Sequence, residues 1–246
     1  HNREGTRTDY LDNVQVETLD YYPATQPPPG WHTLVADDFN DNSFDTSKWE
    51  VLAPPNYSGA TATEQNHRLE LFSRAHLRTV DEIDPTDHPL RIAGLWQFES
   101  GGDFLQILTR SNGEPGSGSG ETETGIEFYA SAVSDNMRIR GRGLSVSDED
   151  FVDVSIGGGD LFFFEIYDYG DELSFLLSEI GGDGTTAMVT ASATQAMLDN
   201  HVVFHNREGS HTSFLDSVTI STIPEPSSVV LILLGLAGLL LRRRRR

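Results

Sequence analysis

Two groups of side chains in this sequence are spaced so that they could do chemistry. The first is a run of oxygen donors, Asp37 and Asp38 with Asn40 and Asp41. Carboxylates and backbone carbonyls are the donor set that Ca²⁺ requires. The same acids serve equally well as residues that end strands and begin turns. The second group is aromatic: Trp96, Phe98, Phe128, Tyr129, Tyr167 and Tyr169, with Arg110, His205 and Arg207 as hydrogen-bond donors. Sugars stack on exposed rings while their hydroxyls bond polar neighbours. Trp96, Arg110, Tyr129, His205 and Arg207 are therefore the candidate ligand contacts. About half of the aromatics on two-faced strands point into a core, and Phe162-Phe163-Phe164 reads as core. His205 and Arg207 share a strand face. Either they line a site, or Arg207 pairs with a carboxylate in a turn scaffold.

Other chemistry is missing. The sequence has no Gly-x-Ser-x-Gly elbow, no Ser/His/Asp arrangement and no His-Glu-x-x-His zinc motif. Glu165-Ile166-Tyr167-Asp168 has the wrong parity for a carboxylate pair, because strand residues three apart face opposite sides. With no cysteine there are no disulfides, and stability must come from a buried core. Residues 1–241 carry twelve basic against 38 acidic side chains, a formal charge of −26. Such a surface repels nucleic acid and anionic lipid, which excludes nucleic acid as a partner. It also attracts divalent cations.

The elements that must position these residues are strands. Arg68–Phe72, Met137–Arg140 and Phe151–Ile156 alternate between apolar and polar residues. Leu90–Phe98, Asp103–Arg110, Gly125–Ala132, Leu161–Tyr167, Glu172–Glu179, Thr185–Ala191, Val202–His205 and Phe214–Ile220 complete the set. Glycine-rich turns separate them, at 100–102, 112–120, 141–143, 157–159 and 181–184. Thr194–Asn200 has room for one short helical turn. The pattern predicts an all-β, antiparallel β-sandwich or jelly roll of about a dozen strands.

The sequence repeats itself. His1-Asn2-Arg3-Glu4-Gly5 recurs as His205-Asn206-Arg207-Glu208-Gly209, and Thr8, Leu11, Asp12, Val14 and Thr18 recur as Thr212, Leu215, Asp216, Val218 and Thr222. Residues 1–19 thus read as the terminal hairpin of a truncated upstream copy. The proline-rich 20–30 reads as a stiff linker, and 31–222 as the complete domain. The lack of an initiating Met and of a signal peptide fits a truncated parent.

Residues 223–246 form a separate unit. Pro224-Glu225-Pro226 precedes the apolar run Val229–Leu241, and Arg242, Arg243, Arg244, Arg245 and Arg246 follow it. Thirteen residues make about 20 Å of helix, short of the roughly 30 Å hydrocarbon thickness. Its ten Leu, Ile and Val residues contribute about −3 to −6 kcal/mol on insertion. The run therefore predicts a single short, weakly held transmembrane helix. The arginines orient it with the preceding domain outside. In this order the three features resemble the PEP-CTERM sorting signal of bacteria with exosortase systems. The resemblance implies export, a transient inner-membrane anchor, and recognition at Pro224, Glu225 and Pro226. Cleavage by an exosortase-type membrane protease and delivery to the cell surface or extracellular matrix would follow.

The ends of the domain carry a second resemblance. The stretch from Asp37 to Trp49 (DDFNDNSFDTSKW) is similar to the opening of concanavalin A-like jelly rolls, and Phe214–Ile220 to their closing strand. That superfamily includes legume lectins, laminin-G-type modules and laminarinase-type hydrolases. It implies that the first and last strands lie together, bringing Asp37 or Asp38 near Asp216 as a metal site. It also implies a concave sheet as the place of ligand recognition. Laminarinase-type members use a strand bearing Glu-x-Asp-x-x-Glu for nucleophile and acid/base. The nearest approach is Glu82-Ile83-Asp84-Pro85-Thr86-Asp87, in which Pro85 interrupts the strand and Asp87 replaces the final Glu. The reading that follows is a non-catalytic exported module with affinity for extracellular polysaccharide. The alternative is an extracellular hydrolase of laminarinase type.

Overall fold

The computed structural model describes residues 26–223 apart from 58, 84–88, 100–103, 116–123, 148–150, 182–183, 194–199 and 208–209. The repeat at 1–19, most of the linker, most of the Glu82–Asp87 motif, the 194–199 turn and the sorting tail lie outside the described residues.

Every paired strand is antiparallel, and the strands form two sheets. One contains β1 (His32–Asp37), β3 (Thr61–Gln65), β4 (Arg68–Phe72), β6 (Leu90–Gln97), β10 (Val146–Ser147), β12 (Leu161–Asp168), β13 (Glu172–Glu179), β14 (Thr186–Ala193) and β16 (Thr212–Thr222). The other contains β2 (Trp49–Leu52), β5 (His76–Thr79), β7 (Phe104–Ser111), β8 (Gly125–Ser131), β9 (Asn136–Arg142), β11 (Val152–Asp153) and β15 (His201–His205). The spatial order of the nine-stranded sheet is β10-β14-β13-β12-β6-β16-β4-β3, with β1 also on β16. That of the seven-stranded sheet is β11-β9-β8-β7-β15-β5-β2.

Period-two alternation places one core between the sheets. Ile92, Phe162, Phe164, Phe175 and Leu215 face it from the nine-stranded sheet. Leu105, Ile107, Ile126, Phe128, Ile139 and Phe204 face it from the other. Gly94 on β6 has a packing role, since a Cβ there would stand 2.7 Å from the Phe164 ring. Opposite Gly94, β16 bulges at Ser217, which is left-handed at φ +50°. The bulge lets Val218 turn inward two residues after Asp216.

Three sequence expectations change. Phe151–Ile156 is not one strand, because only Val152–Asp153 pair with β9. Beyond them, Asp135 takes over: its carbonyl accepts from Val154 N at 2.9 Å and its carboxylate from Ile156 N at 3.1 Å. The strands β1, β2, β3, β5 and β10 join those read from the sequence. Of these, β3 (Thr-Ala-Thr-Glu-Gln) lacks an apolar alternation to announce it. Finally, the segment matched by the N-terminal repeat is not a hairpin. Its β15 lies in the seven-stranded sheet and its β16 in the other, so the chain changes sheets between them. Asn206 anchors the crossing by donating to the carbonyls of Leu71 (2.7 Å) and His211 (2.8 Å).

Candidate functional site

The outer face of the seven-stranded sheet is built from the residues that alternate with the core. On β9, Met137 and Ile139 point inward, so Arg138, Arg140 and Arg142 point out. On β8 the outward set is Glu127, Tyr129 and Ser131, and on β7 it begins with Phe104 and Gln106. His205 on β15 and His76 on β5 complete the row, with Arg74 and Arg207 from the adjoining loops.

These side chains form a connected group. Glu127, fully buried, lies directly across from Arg140 and accepts hydrogen bonds from Arg140 and, at 3.1 Å, from Arg142. The Tyr129 ring has the guanidinium carbons of Arg138, Arg140 and Arg207 at 5.1, 5.8 and 6.0 Å from its centroid. It packs against Phe104 at 5.5 Å, and Arg207 also covers Phe104 at 5.3 Å. His205 stacks on His76 with ring centroids 3.9 Å apart. Its Nδ1 donates to Gln106 Oε1 at 2.6 Å. That oxygen can only accept, so Nδ1 holds the proton and Nε2 is a bare acceptor. Burial, followed by the charges of His76, Arg74, Arg142 and Arg207, pushes the His205 pKa well below its ordinary 6.5. The imidazole is therefore neutral at neutral pH.

One detail points outward from the protein. His205 Nε2 and Gln106 Nε2 are both buried without a hydrogen-bond partner among the described residues. One is an acceptor and the other a donor, a combination that a hydroxyl group satisfies. Above this floor, Phe104 and the five arginines remain partly exposed.

Three of the five candidate ligand residues, Tyr129, His205 and Arg207, are brought together here. The other two are not. Trp96 faces the core and is fully buried, so it has no ring face for a ligand. Arg110 lies at a bulge where β7 has two residues opposite one of β15. Its left-handed φ of +51° turns the side chain between the sheets, onto Asp168. Glu127, Gln106 and the β9 arginines were not singled out from the sequence. The available signal was Arg138-x-Arg140-x-Arg142, a period-two row in a chain with few basic residues.

The two-sheet architecture has counterparts among solved structures. A basic winged bean lectin in complex with Tn-antigen superposes with a TM-score of 0.54 at 11% identity, over 76% of this chain and 98% of the lectin. Lectin II from Ulex europaeus gives 0.52 at 12%, over 78% and 100%. A glycosyl hydrolase family protein from Mycobacterium fortuitum gives 0.50 at 13%, over 77% and 99%. The domain has the concanavalin A-like jelly-roll fold that these structures share. Residues 222–246 match the PEP-CTERM protein-sorting motif, which implies export and sorting to the cell surface or beyond by an exosortase. No curated protein matches the sequence.

In this jelly roll β1 does pair with β16, with Asp37 opposite Val218. The three acids nevertheless do not assemble a Ca²⁺ set. Asp37 accepts from the Trp49 indole at 2.9 Å and faces the Lys48 ammonium at 3.6 Å, so a cation of the protein already answers it. Asp38 and Asp216 lie close enough to repel each other, and burial and then that repulsion raise the Asp216 pKa to about 6. Among the described residues no three acidic or histidine side chains gather as metal ligands. The Glu82 approach to a hydrolase motif is not a strand where it is described.

Proposed function

We propose that this is an exported cell-surface or matrix protein whose jelly roll binds carbohydrate on the outer face of the seven-stranded sheet. The observation that carries the reading is the His205–Gln106 pair. Two fully buried polar side chains leave one donor and one acceptor unmatched, beneath partly exposed Phe104 and arginine groups. An apolar core would leave neither, because each unmatched group costs about 1–3 kcal/mol. The lectin and hydrolase relatives support a saccharide as the ligand class.

Hydrolysis is the second reading, and one observation favours it: Glu127 places a carboxylate in the middle of this face. Two carboxyl groups are needed for glycoside hydrolysis. The next same-face positions on β8 are Tyr129 and Ser131, so this strand supplies no second acid. Binding without turnover fits better.

The test is a glycan-array screen of the full chain in non-ionic detergent, beside a reducing-sugar assay on β-glucans. Saccharide binding without sugar release is expected, as is loss of that binding in Gln106→Leu. If Gln106→Leu changed the melting temperature but left binding intact, the pair would be a structural scaffold. Release of reducing sugar would establish the hydrolase instead.

A further inference from the structure

The same face carries a charge pattern opposite to that of the whole protein. Residues 1–241 have twelve basic side chains for a formal charge of −26. Five of those twelve, Arg74, Arg138, Arg140, Arg142 and Arg207, converge on three neighbouring residues. Arg138, Arg140 and Arg207 surround the Tyr129 ring. Arg140 and Arg142 hold Glu127. Arg74, Arg142 and Arg207 act on His205. Among the described residues the acid at the centre is Glu127; Glu50 and Glu114 answer Arg78 nearer the far edge, and Asp153 lies on the edge strand β11.

This concentration has a physical cost. Guanidinium groups drawn together on one face repel one another, and the face is only partly solvated. Charges are screened beyond about 8 Å at physiological ionic strength. A ligand lying here therefore feels the local arginines far more than the acids elsewhere on the body. Arginine is also the cation whose planar fork matches a carboxylate or sulfate with two parallel hydrogen bonds. Arg138, Arg140 and Arg142 form a row spanning about 14 Å along β9, long enough to meet successive acidic groups of one polymer.

We infer that the ligand of this face is an anionic polysaccharide, whose carboxylate or sulfate groups are held by the Arg138–Arg140–Arg142 row and Arg207 while sugar hydroxyls meet the Gln106–His205 floor. The inference rests on the carbohydrate-binding reading above and narrows its substrate class. Phe104, partly exposed and flanked by Arg207, supplies the apolar surface for the sugar ring, with the buried Tyr129 packed beside it.

The experiment is a binding titration with the full chain in non-ionic detergent, at low and high salt. The probes are polygalacturonate and alginate (carboxylate), dextran sulfate (sulfate), laminarin and dextran (neutral), and polyglutamate (a polyanion that is not a sugar). Arg138→Gln and Arg207→Gln are compared with Arg78→Gln, and a melting curve on each confirms folding. The expected result is binding to one or both acidic glycan classes and weakening with salt. Arg138→Gln and Arg207→Gln should each weaken that binding about tenfold, with Arg138→Lys retaining more of it and Arg78→Gln unchanged. A preference for carboxylate over sulfate, or the reverse, names the acidic group. If laminarin or dextran bound as tightly as the acidic polymers, the charge inference would fall while the carbohydrate reading stood. Polyglutamate binding as tightly as polygalacturonate would overturn both, and so would the absence of binding to every polysaccharide.

Discussion

Arg110 on β7 and Asp168 on β12 form a fully buried, bidentate ion pair that ties the two sheets together. Arg110 Nη2 donates to Asp168 Oδ1 at 2.5 Å and Nε to Oδ2 at 3.1 Å. The Thr109 hydroxyl (2.8 Å) and Gly170 N (3.0 Å) donate to the same carboxylate. Every strong acceptor position of Asp168 is thereby filled from within the protein. Arg110 is thus a structural residue and has no free group for a ligand.

Removing one partner of such a pair leaves an uncompensated buried charge. Arg110→Ala is expected to destabilise the domain by about 3–5 kcal/mol, measured by urea unfolding. The double substitution Arg110→Met with Asp168→Leu should recover much of that loss, because the desolvation cost disappears with both charges. A loss below about 1 kcal/mol for Arg110→Ala would show that the pair is solvated and does not join the sheets.

Most of the strands and their alternation were legible in the sequence; the short strands β1, β2, β3, β5 and β10 and the directions of several key side chains were not. Trp96 sits in Leu90–Gln97, where Ala93 and Leu95 bury the outer face as well, so parity cannot be read from polarity. Arg110 reverses direction at a bulge that exists only as a cross-strand register, with no glycine to mark it. Ser217 does the same on β16, which parts Asp216 from the inward-facing Val218. The Arg138-x-Arg140-x-Arg142 row was readable as alternation. Its meaning depended on Glu127 and His205 arriving from other strands.

The half-buried Asp216 and the buried His205 give the folded state opposing pH dependences. Asp216 is raised from 3.8 to about 6 by burial and by Asp38. Between those values the folded state binds the proton more tightly than the unfolded chain, so its contribution to stability falls as pH rises through this range. The shift bounds the effect at about 3 kcal/mol, and solvent screening at this partly exposed site reduces it to about 1–2 kcal/mol. His205 works the other way. Its folded pKa lies well below 6.5, so the unfolded chain takes up the proton first, and stability is lost as pH falls below about 6.5. Asp216→Asn should therefore stabilise the protein at pH 7–8 by about 1–2 kcal/mol and give no gain near pH 4. It should also uncover the downward slope due to His205 below about pH 6.5. An unchanged unfolding free energy at pH 8 in Asp216→Asn would show that Asp216 is not strained.

Gly94 gives a test of the core that is independent of charge. A Cβ at this position would meet Phe164 at 2.7 Å and Val218 at 3.2 Å. Both neighbours are buried between the sheets, and Val218 is set by the Ser217 bulge, so neither has free space to retreat. Gly94→Ala should destabilise by about 1–3 kcal/mol through overpacking. Pairing it with Phe164→Leu should return part of the loss, since the smaller side chain vacates the ring edge. If Gly94→Ala were stabilising, as expected for a roomy strand glycine, the close approach of β6 to β12 and β16 would be refuted.

The sorting tail predicts a definite chemical end for the mature protein. Residues 222–246 match the PEP-CTERM motif, and Val229–Leu241 is too short to hold a bilayer firmly without its arginine block. We propose that this segment is a transient anchor, recognised at Pro224-Glu225-Pro226 and then removed. In a host with an exosortase, mass spectrometry of protein recovered from the medium should find a C-terminus near Pro226 and no trace of Arg242–Arg246. Glu225→Ala with Pro226→Ala should shift the protein to the inner-membrane fraction at full length. Deleting the five arginines should scramble orientation without affecting the melting temperature of the jelly roll, because the positive-inside bias is then lost. Recovery of the wild-type chain from the cytosol, soluble and with its arginines intact, would rule out the export route.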